Sequence, residues 1–517
     1  MSCDSRATTR FLSGDGSAIP GLALAPRALR PVLAALGWSA AAHAQGGLPP
    51  VSALTPGDTP RSVALLPARL DASDGTFYFR SAGDRVVLVP SARVHIDGYA
   101  FAGPGVPGYQ RSDGTGLKAH LLFRRFILEM GGVIDRRWFF WIGGNFAPTR
   151  LDSSQGPSSS AAVYDGFIGY AASEDVRFLL GQYNLPFTME NVTSSRWLDF
   201  MERALSVRTL GAPTNKDLGL TAWAQTHSGQ LEGQLGVFGG DGMNRPSVDN
   251  RVDLTARAVV RPLATMNTGA MRALHVGASV RYGSRDPQSV RYDAPTISTP
   301  GGYALWSPSH GSGADDTRVI PSRDQIGVAG EVYVPLERFD LKSELIYLDE
   351  GRREALASDR GKTLRAGALR GLGGYVQLAF WLAGTPRISG HPAGHYGRIR
   401  LPSDAGTNAS DALQLVVRAE RLRLTYDADR HRGTDPAGLS TRTDSIRIDA
   451  YQAALTYWAT RHIRLTGEYS LYHVPGSPPS SPGGVTNQAA TPGARGPGAD
   501  PGASVLHEFS VRAGLAI

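Results

Sequence analysis

The stretch Arg251-Val252-Asp253-Leu254-Thr255-Ala256-Arg257-Ala258-Val259-Val260-Arg261 alternates apolar and polar residues. Because successive side chains of a β-strand point to opposite faces, it predicts a strand with two unlike faces. One face carries Val252, Leu254, Ala256, Ala258 and Val260, and the other carries Arg251, Asp253, Thr255, Arg257 and Arg261. An arginine facing lipid at the bilayer midplane costs roughly 2–4 kcal/mol. The apolar face is therefore predicted to meet lipid, and the arginine face to line a water-filled lumen.

Segments of roughly ten residues with this alternation recur from Val86 onward, as in the strands of outer-membrane barrels. Arg93, His95 and Asp97 alternate with Val94 and Ile96, and Arg464, Thr466 and Glu468 alternate with Ile463 and Leu465. The sequence thus predicts an all-β fold, a transmembrane antiparallel β-barrel of about sixteen strands. The strands are predicted to begin near Val87, Leu121, Trp138, Ala162, Val176, Leu218, Leu231, Arg251, Ala273, Gln325, Leu341, Gly374, Leu413, Ser445, Ile463 and Val505.

The strand ends and loops follow from the same pattern. Between Arg421 and Tyr426 the apolar residues change faces, which predicts a bulge or a strand end. Three long segments rich in Gly, Pro, Ser and Asp, residues 287–322, 384–411 and 475–503, are predicted to be external loops. The closing strand is predicted to place Glu508, Ser510 and Arg512 inward and Val505, His507, Phe509, Val511, Ala513, Leu515 and Ile517 outward.

The composition argues against two other classes of protein. No apolar run approaches the ~20 residues that a transmembrane helix requires, and the mean hydropathy is −0.19. The formal net charge is only +7, and the basic residues are spread along the chain without runs. Nucleic-acid-binding proteins concentrate positive charge in a patch. We therefore expect a barrel with no nucleic-acid partner.

The N-terminal region has the features of an export signal. Arg27 and Arg30 precede an apolar run over residues 31–42, and Ala42-His43-Ala44 supplies the small-x-small pattern of a cleavage site. Residues 1–44 are predicted to be an N-terminal extension plus signal peptide. Residues 45–80, which are rich in proline, are predicted to be a periplasmic linker, and residues 81–517 the barrel.

One segment resembles a known family. Gly181-Gln182-Tyr183-Asn184-Leu185-Pro186-Phe187-Thr188-Met189-Glu190 leads into Thr193-Ser194-Ser195-Arg196-Trp197 and the pair Glu202-Arg203. This order is similar to that of the phosphate-selective porins O and P, and the resemblance extends over residues 121–263. It implies a trimeric barrel of the bacterial outer membrane, a loop folded into the lumen and an arginine-rich path for anions. The sequence departs from the phosphate-specific members in its few lysines, at Lys118, Lys216, Lys342 and Lys362.

Residues 186–213 are the segment expected to fold into the lumen, because they combine the best family match with a helix pattern. Ser194 or Ser195 is predicted to cap a short helix. Its apolar face is formed by Trp197, Leu198, Met201, Ala204 and Leu205, which recur at helical spacing. Arg196, Arg203 and Arg208 are then expected to project toward the passage, the alternative for Arg203 being an ion pair that only holds the loop.

These observations predict a porin for passive diffusion of small anions, with phosphate or polyphosphate as the expected solute. The alternative is a general or oligosaccharide porin on the same barrel, since anion preference requires that Asp97, Asp253 and Glu468 do not cancel the arginine charge. The residues expected to line the anion path are Arg93, Arg196, Arg203, Arg208, Arg251, Arg257, Arg261 and Arg464.

An enzyme is the rival class, since some outer-membrane barrels are hydrolases. The sequence contains no G-x-S-x-G or HExxH motif. We therefore predict no catalytic residues, metal ligands or cofactor. An adhesive or structural barrel would be expected to carry repeats or a passenger domain, and the sequence has neither. The expected partners are small anions such as phosphate, outer-membrane lipid and, as a homotrimer, further copies of the chain.

Overall fold

The structure is a computed structural model of the chain. It describes residues 79–81, 85–103, 119–147, 162–212, 214–247, 249–266, 269–286, 293, 297–309, 317–356, 358–384, 387–388, 399–400, 412–430, 442–460, 462–475 and 505–516. The predicted signal peptide and nearly all of the predicted linker lie outside these residues. Among the described residues, none of the helices has both the length and the apolar character needed to cross a bilayer.

Sixteen antiparallel strands form a closed barrel. They are β1 (Val86–Ala102), β2 (His120–Ile134), β3 (Trp138–Asn145), β4 (Ala162–Ala171), β5 (Val176–Asn184), β6 (Lys216–Gln225), β7 (Leu231–Phe238), β8 (Asp253–Val260), β9 (His275–Arg285), β10 (Thr317–Pro335), β11 (Phe339–Leu356), β12 (Arg365–Ala383), β13 (Ala412–Arg430), β14 (Arg442–Trp458), β15 (Ile463–His473) and β16 (Val505–Ala516). Each strand pairs with the next, and β16 pairs with β1 from Arg93–Ala516 to Ala102–His507. The sixteen-stranded barrel predicted from the sequence is therefore confirmed.

The outer wall is apolar and the inner wall polar, as the alternation requires. In β8, Leu254 and Val260 are exposed on the outside, whereas Asp253 and Arg257 are buried on the inside. Arg251, predicted to open this strand, lies two residues ahead of it and is exposed. In β16, Glu508, Ser510 and Arg512 are buried inside while Phe509 and Val511 are exposed, so the predicted orientation of the closing strand is confirmed.

The connections differ at the two ends of the barrel. Five turns of three to five residues, such as the one between β2 and β3, lie at one end, which we take as periplasmic. The long segments after β1, β3, β5, β9 and β15 lie at the other end. The prediction of an external loop over residues 384–411 was wrong. Most of that segment lies outside the described residues, but the strand ends that flank it, Ala383 and Ala412, belong to the periplasmic end because β12 runs toward it.

The predicted bulge or strand end between Arg421 and Tyr426 is absent. β13 runs unbroken from Ala412 to Arg430 with one register against both neighbours in this region. Leu422, Leu424 and Tyr426 are buried on the inner face. The apolar residues change faces because the inner wall here is covered by protein rather than by water.

Two segments cover that wall. The first, residues 185–215, joins β5 to β6 and contains helices α1 (Met189–Val192) and α2 (Leu205–Leu210). Its position in the lumen confirms the sequence prediction. The second lies in the connection between β9 and β10, where Ile297–Ser298 pairs with Ala304–Trp306 and Trp306 is fully buried. The prediction that residues 287–322 form an external loop was therefore wrong for this hairpin, and also for residues 317–322, which belong to β10.

The barrel starts slightly earlier than predicted. Phe79–Arg80 forms a two-residue strand that pairs with Leu88 and Val87 of β1. The last two residues of the predicted linker therefore belong to the sheet. The other domain boundaries predicted from the sequence are not tested by the described residues and stay predictions.

Candidate functional site

Carboxylates of the barrel wall hold the two helices of residues 185–215. The N–H groups of Met189 and Glu190, at the start of α1, donate to Glu344 over 2.5 and 3.1 Å. Those of Leu205 and Ser206, at the start of α2, donate to Glu420 over 2.9 and 2.5 Å. The first N–H groups of a helix have no partner within the helix and carry a partial positive charge. Each wall glutamate therefore fixes one helix to the sheet.

The predicted helix capped by Ser194 or Ser195 is absent. Between α1 and α2 the backbone is irregular, and α1 is capped instead by Thr188, whose hydroxyl accepts from the Asn191 N–H over 3.3 Å. Side chains of the wall bond the backbone directly: Glu468 accepts from the Met201 N–H, and Arg464 donates to the Leu198 carbonyl. These tertiary bonds replace the i to i−4 bonds of a helix.

The predicted apolar face nevertheless packs against the wall. Trp197 stacks on Trp458 with ring centroids 6.4 Å apart. Leu198, Met201, Ala204 and Leu205 are buried. On β12, Gly371 leaves room for α2, because a Cβ at that position would lie 2.4 Å from Leu210 Cδ2. Burial of these side chains places the segment against the sheet rather than across the open lumen.

Several arginines predicted to face the passage instead fasten this segment. Arg203 donates to the carbonyls of Glu190, Asn191 and Thr193, the last over 2.7 Å. Arg203 thus braces the segment through backbone carbonyls, not through the ion pair given above as the alternative. Arg464 donates to two carbonyls of the segment. Arg93 donates to Ser195 and Glu129, and Arg196 donates to Ser91 and Glu129.

Glu202 of the inserted segment is the shared ion-pair partner of three arginines. It accepts from Arg125 over 2.7 and 2.9 Å, from Arg124 over 3.1 Å and from Arg512 over 2.9 Å. Burial opposes ionisation of Glu202, but the three arginines outweigh it and hold its pKa well below the usual range. Arg124 and Arg125 are sequence neighbours that both reach the lumen because the β1–β2 register shifts beside them.

A cavity of about 250 Å³ lies on the extracellular side of α2, between the inserted segments and the inner wall. Its basic lining residues outnumber its acidic ones by seven to three. The basic residues are Arg124, Arg125, Arg203, Arg208, Lys216, Arg245 and Arg352, and the acidic residues are Glu202, Asp293 and Glu350. We call this set the basic vestibule.

Arg208 differs from the other arginines of the basic vestibule. It lies in the last turn of α2 and is half-buried. Within the described part of the chain its guanidinium forms no hydrogen bond or ion pair, although Glu508 interacts with its charge at longer range. By contrast, Arg352 pairs with Glu350 and Lys216 pairs with Asp165. The guanidinium of Arg208 is therefore available to a solute.

The remaining predicted path residues lie elsewhere. Arg257 is fully buried and forms a two-point ion pair with Glu331 over 3.1 and 2.5 Å. Arg261 lies just after β8 at the periplasmic end, and Arg251 lies at the opposite end. Of the eight predicted residues, only Arg203 and Arg208 line the basic vestibule.

Five basic residues of the vestibule were not predicted from the sequence: Arg124, Arg125, Lys216, Arg245 and Arg352. The adjacent pair Arg124-Arg125 was a usable signal, because two successive charges in an alternating strand require a bulge to keep both from lipid. Arg245 lies in a loop, and Arg352 lies beyond the predicted end of the lipid-facing pattern. In both places the alternation of apolar and polar residues does not show which side chains face the lumen.

The phosphate-selective porin O and P family matches residues 104–478, which is well over half of the chain. The chain belongs to this family. It is therefore an outer-membrane porin, as the sequence resemblance predicted. A comparison with curated proteins gives no match.

Solved structures similar to this porin include three outer-membrane proteins. OmpT of Vibrio cholerae is 8% identical, with a TM-score of 0.45 over 84% of this chain and 98% of that chain. The outer membrane channel DcaP of Acinetobacter baumannii is 11% identical, with a TM-score of 0.45 over 85% and 99% of the two chains. An anion-selective porin from Comamonas acidovorans is 10% identical, with a TM-score of 0.42 over 84% and 100%.

Proposed function

We propose that this porin lets small anions, with phosphate or polyphosphate as the preferred solute, diffuse passively across the outer membrane, and that it is a channel rather than an enzyme. The observation that carries the proposal is the excess of basic over acidic side chains in the basic vestibule. A cavity lined by one sign of charge raises the local concentration of ions of the opposite sign. An anion entering from outside therefore meets a positive field where it passes between the inserted segments and the inner wall.

Arg208 supports the preference for phosphate. A guanidinium presents several N–H donors in one plane and matches the oxygens of a phosphate group at two points. Arg203 and Arg208 lie on the same segment and line the same cavity. Arginines in this arrangement can bind phosphate although the chain has few lysines. We infer that Arg208 contacts the solute within the basic vestibule.

The experiment compares wild type with Arg208→Gln and Arg208→Lys in planar bilayers under a KCl gradient. The Gln variant should shift the reversal potential toward cations, and the Lys variant should stay near wild type. The shift should be larger in dilute salt, because charges are screened over ~10 Å at 0.1 M but over only ~3 Å at 1 M. Arg370→Gln, which removes an exposed charge from the outer wall, is the matched control and should have no effect.

Phosphate preference is tested in the same bilayers. Phosphate added to wild type should reduce the chloride current, and Arg208→Gln should weaken this block. An unchanged reversal potential in Arg208→Gln contradicts the proposed path. Block by neutral oligosaccharides, without block by phosphate, would favour the general or oligosaccharide porin instead.

We also propose that the porin forms a homotrimer through its short strands. β3, β7 and β8 have eight residues each, fewer than the ~9–11 that a tilted strand needs to span the membrane. Their outward side chains include the exposed Ile142, Leu235 and Leu254. A neighbouring subunit would cover this side of the barrel. Light scattering of the detergent-solubilised porin should give three times the chain mass, and a monomer mass would contradict the proposal.

A further inference from the structure

The outer wall carries a cluster of arginines on β13 and β14. Arg421 and Arg447 are 53% and 40% exposed, and Arg423 is exposed as well. All three side chains point away from the lumen, since their neighbours Leu422, Leu424, Ile446 and Ile448 are buried inside. The cluster is therefore separated from the basic vestibule by the sheet. We call it the outer arginine cluster.

One carboxylate holds two of the three arginines. Asp449, which is almost completely buried, accepts from Arg421 Nε over 2.5 Å and from Arg447 Nη2 over 2.6 Å. Arg421 and Asp449 are direct partners in the strand register. These bonds fix the guanidinium groups against the wall, so the cluster is ordered before any ligand arrives.

The third arginine increases the positive charge. Arg423 is the direct register partner of Arg447, and like charges placed opposite each other destabilise a strand pair. Within the described residues Arg423 forms no ion pair. With Asp449 counted, the outer arginine cluster keeps a net charge of +2 from its arginines and aspartate. An anionic ligand would remove this repulsion.

The cluster lies directly beyond the lipid-facing surface. On β14 the next outward residues toward the periplasm are Tyr451, Ala453 and Leu455, of which Tyr451 and Leu455 are exposed. On β13 they are Ala419 and then the exposed Val417 and Leu415. An aromatic residue followed by aliphatic ones marks the boundary between headgroups and acyl chains. The arginines therefore occupy the headgroup level of the extracellular leaflet.

We propose that Arg421, Arg423 and Arg447 bind the phosphate groups of an anionic lipid of the outer leaflet, whose acyl chains lie along the apolar wall below. Basic clusters beside a membrane-spanning surface bind phosphorylated headgroups through charge and hydrogen bonds. The neighbouring outward arginine, Arg370, is flanked by Asp349 and Asp427, whose two negative charges exceed its single positive charge. The site is thus confined to β13 and β14 and is independent of the channel function.

Native mass spectrometry of the detergent-solubilised porin tests this proposal. The probes are a hexa-acylated diglucosamine lipid with two phosphates and the same lipid without phosphate. The variant Arg423→Gln/Arg447→Gln leaves Arg421 in place to hold Asp449. It should bind the phosphorylated lipid about tenfold more weakly than wild type, and Arg370→Gln should bind it normally.

Three outcomes would overturn the lipid site: equal binding by the double variant and wild type, an equal loss in Arg370→Gln, or equal binding of the lipid without phosphate. Displacement of the lipid by millimolar inorganic phosphate would show that free phosphate is the ligand. Heat-resistant migration on gels verifies that each variant is folded. Chloride conductance should be unchanged in the double variant, so the result does not depend on the anion path.

Discussion

The arginines near Glu202 have two different roles: some brace the inserted segment, and one is available to bind a solute. Three arginines contact this one carboxylate, while Arg208, a short distance along the same segment, contacts none in the described structure. The first group stabilises the inserted segment, and the second remains free for a solute. Charge type alone does not distinguish the two roles, because both are arginines on a polar wall.

Glu202→Gln is predicted to destabilise the porin. The substitution removes the carboxylate charge, so three buried or half-buried arginines lose their shared partner. Breaking such a buried pair costs roughly 3 kcal/mol. Urea unfolding followed by tryptophan fluorescence at pH 7 measures the loss. Asp135→Asn, which breaks the exposed Arg85–Asp135 pair in the β2–β3 turn, should leave the free energy of unfolding unchanged. Equal effects of the two variants would contradict the bracing role.

The same residue predicts a pH dependence. The pKa of Glu202 is lowered on folding, so its stabilising effect is complete above its ordinary pKa of 4.5 and is lost as the pH falls through the depressed value in the folded porin. The difference in unfolding free energy between wild type and Glu202→Gln should therefore be constant from pH 7 to pH 5 and shrink in stronger acid. A difference that grows on acidification would be inconsistent with this.

At the residue level, sequence reasoning identified the inward arginines but not their partners. Alternation places Arg257 in the lumen, yet its pairing with Glu331 on β10 depends on a register that the sequence does not display. Arg208 was identified because residues 186–213 resemble a family segment. The unpaired state that makes Arg208 important becomes visible only in three dimensions.

At the level of elements, α2 depends on glycines of the opposing strand. Gly371 and Gly373 of β12 leave room for Leu210 and Ser206, and Glu420 of β13 binds the start of the helix. A helix of six residues is too short to be stable by itself. Its position and its existence therefore depend on the wall.

Gly371→Val is predicted to displace α2 toward the lumen. The added side chain would overlap Leu210, and overpacking of this kind typically costs about 1–3 kcal/mol. We expect faster proteolytic cleavage within residues 185–215 and a changed single-channel conductance. Gly467→Val, on the outer wall with no atom within 4 Å of the added Cβ, is the control. Identical cleavage rates in the two variants would argue against α2 being packed on Gly371.

The strands were predicted well where lipid contacts them and poorly elsewhere. Six strands begin at the predicted residue: β3, β4, β5, β7, β15 and β16. β10 and β12 begin at Thr317 and Arg365, well before the predicted Gln325 and Gly374. Their extracellular parts extend beyond the apolar band, so the alternation that reveals a strand is lost. The helix pattern over residues 194–205 failed for a related reason, since hydrogen bonds from the wall replaced those within a helix.

At the scale of the whole molecule, cleavage of the signal peptide during export determines where the mature chain begins. We predict that the mature porin begins near Gln45, because Ala42-His43-Ala44 follows a short apolar run preceded by Arg27 and Arg30. N-terminal sequencing of porin from outer-membrane fractions measures this directly. Recovery of residues 30–44 in that material would exclude the predicted cleavage site.

The lumen of this barrel is expected to prefer anions because the basic vestibule is positive. The most direct measurement is the zero-current potential of wild-type porin in a planar bilayer separating 0.1 M from 1 M KCl, salt concentrations at which charges are screened over ~10 Å and ~3 Å. A positive vestibule should give a potential with the sign of chloride selectivity, which increases when both solutions are diluted. A potential with the sign of potassium selectivity, or one that stays at zero on dilution, would contradict it.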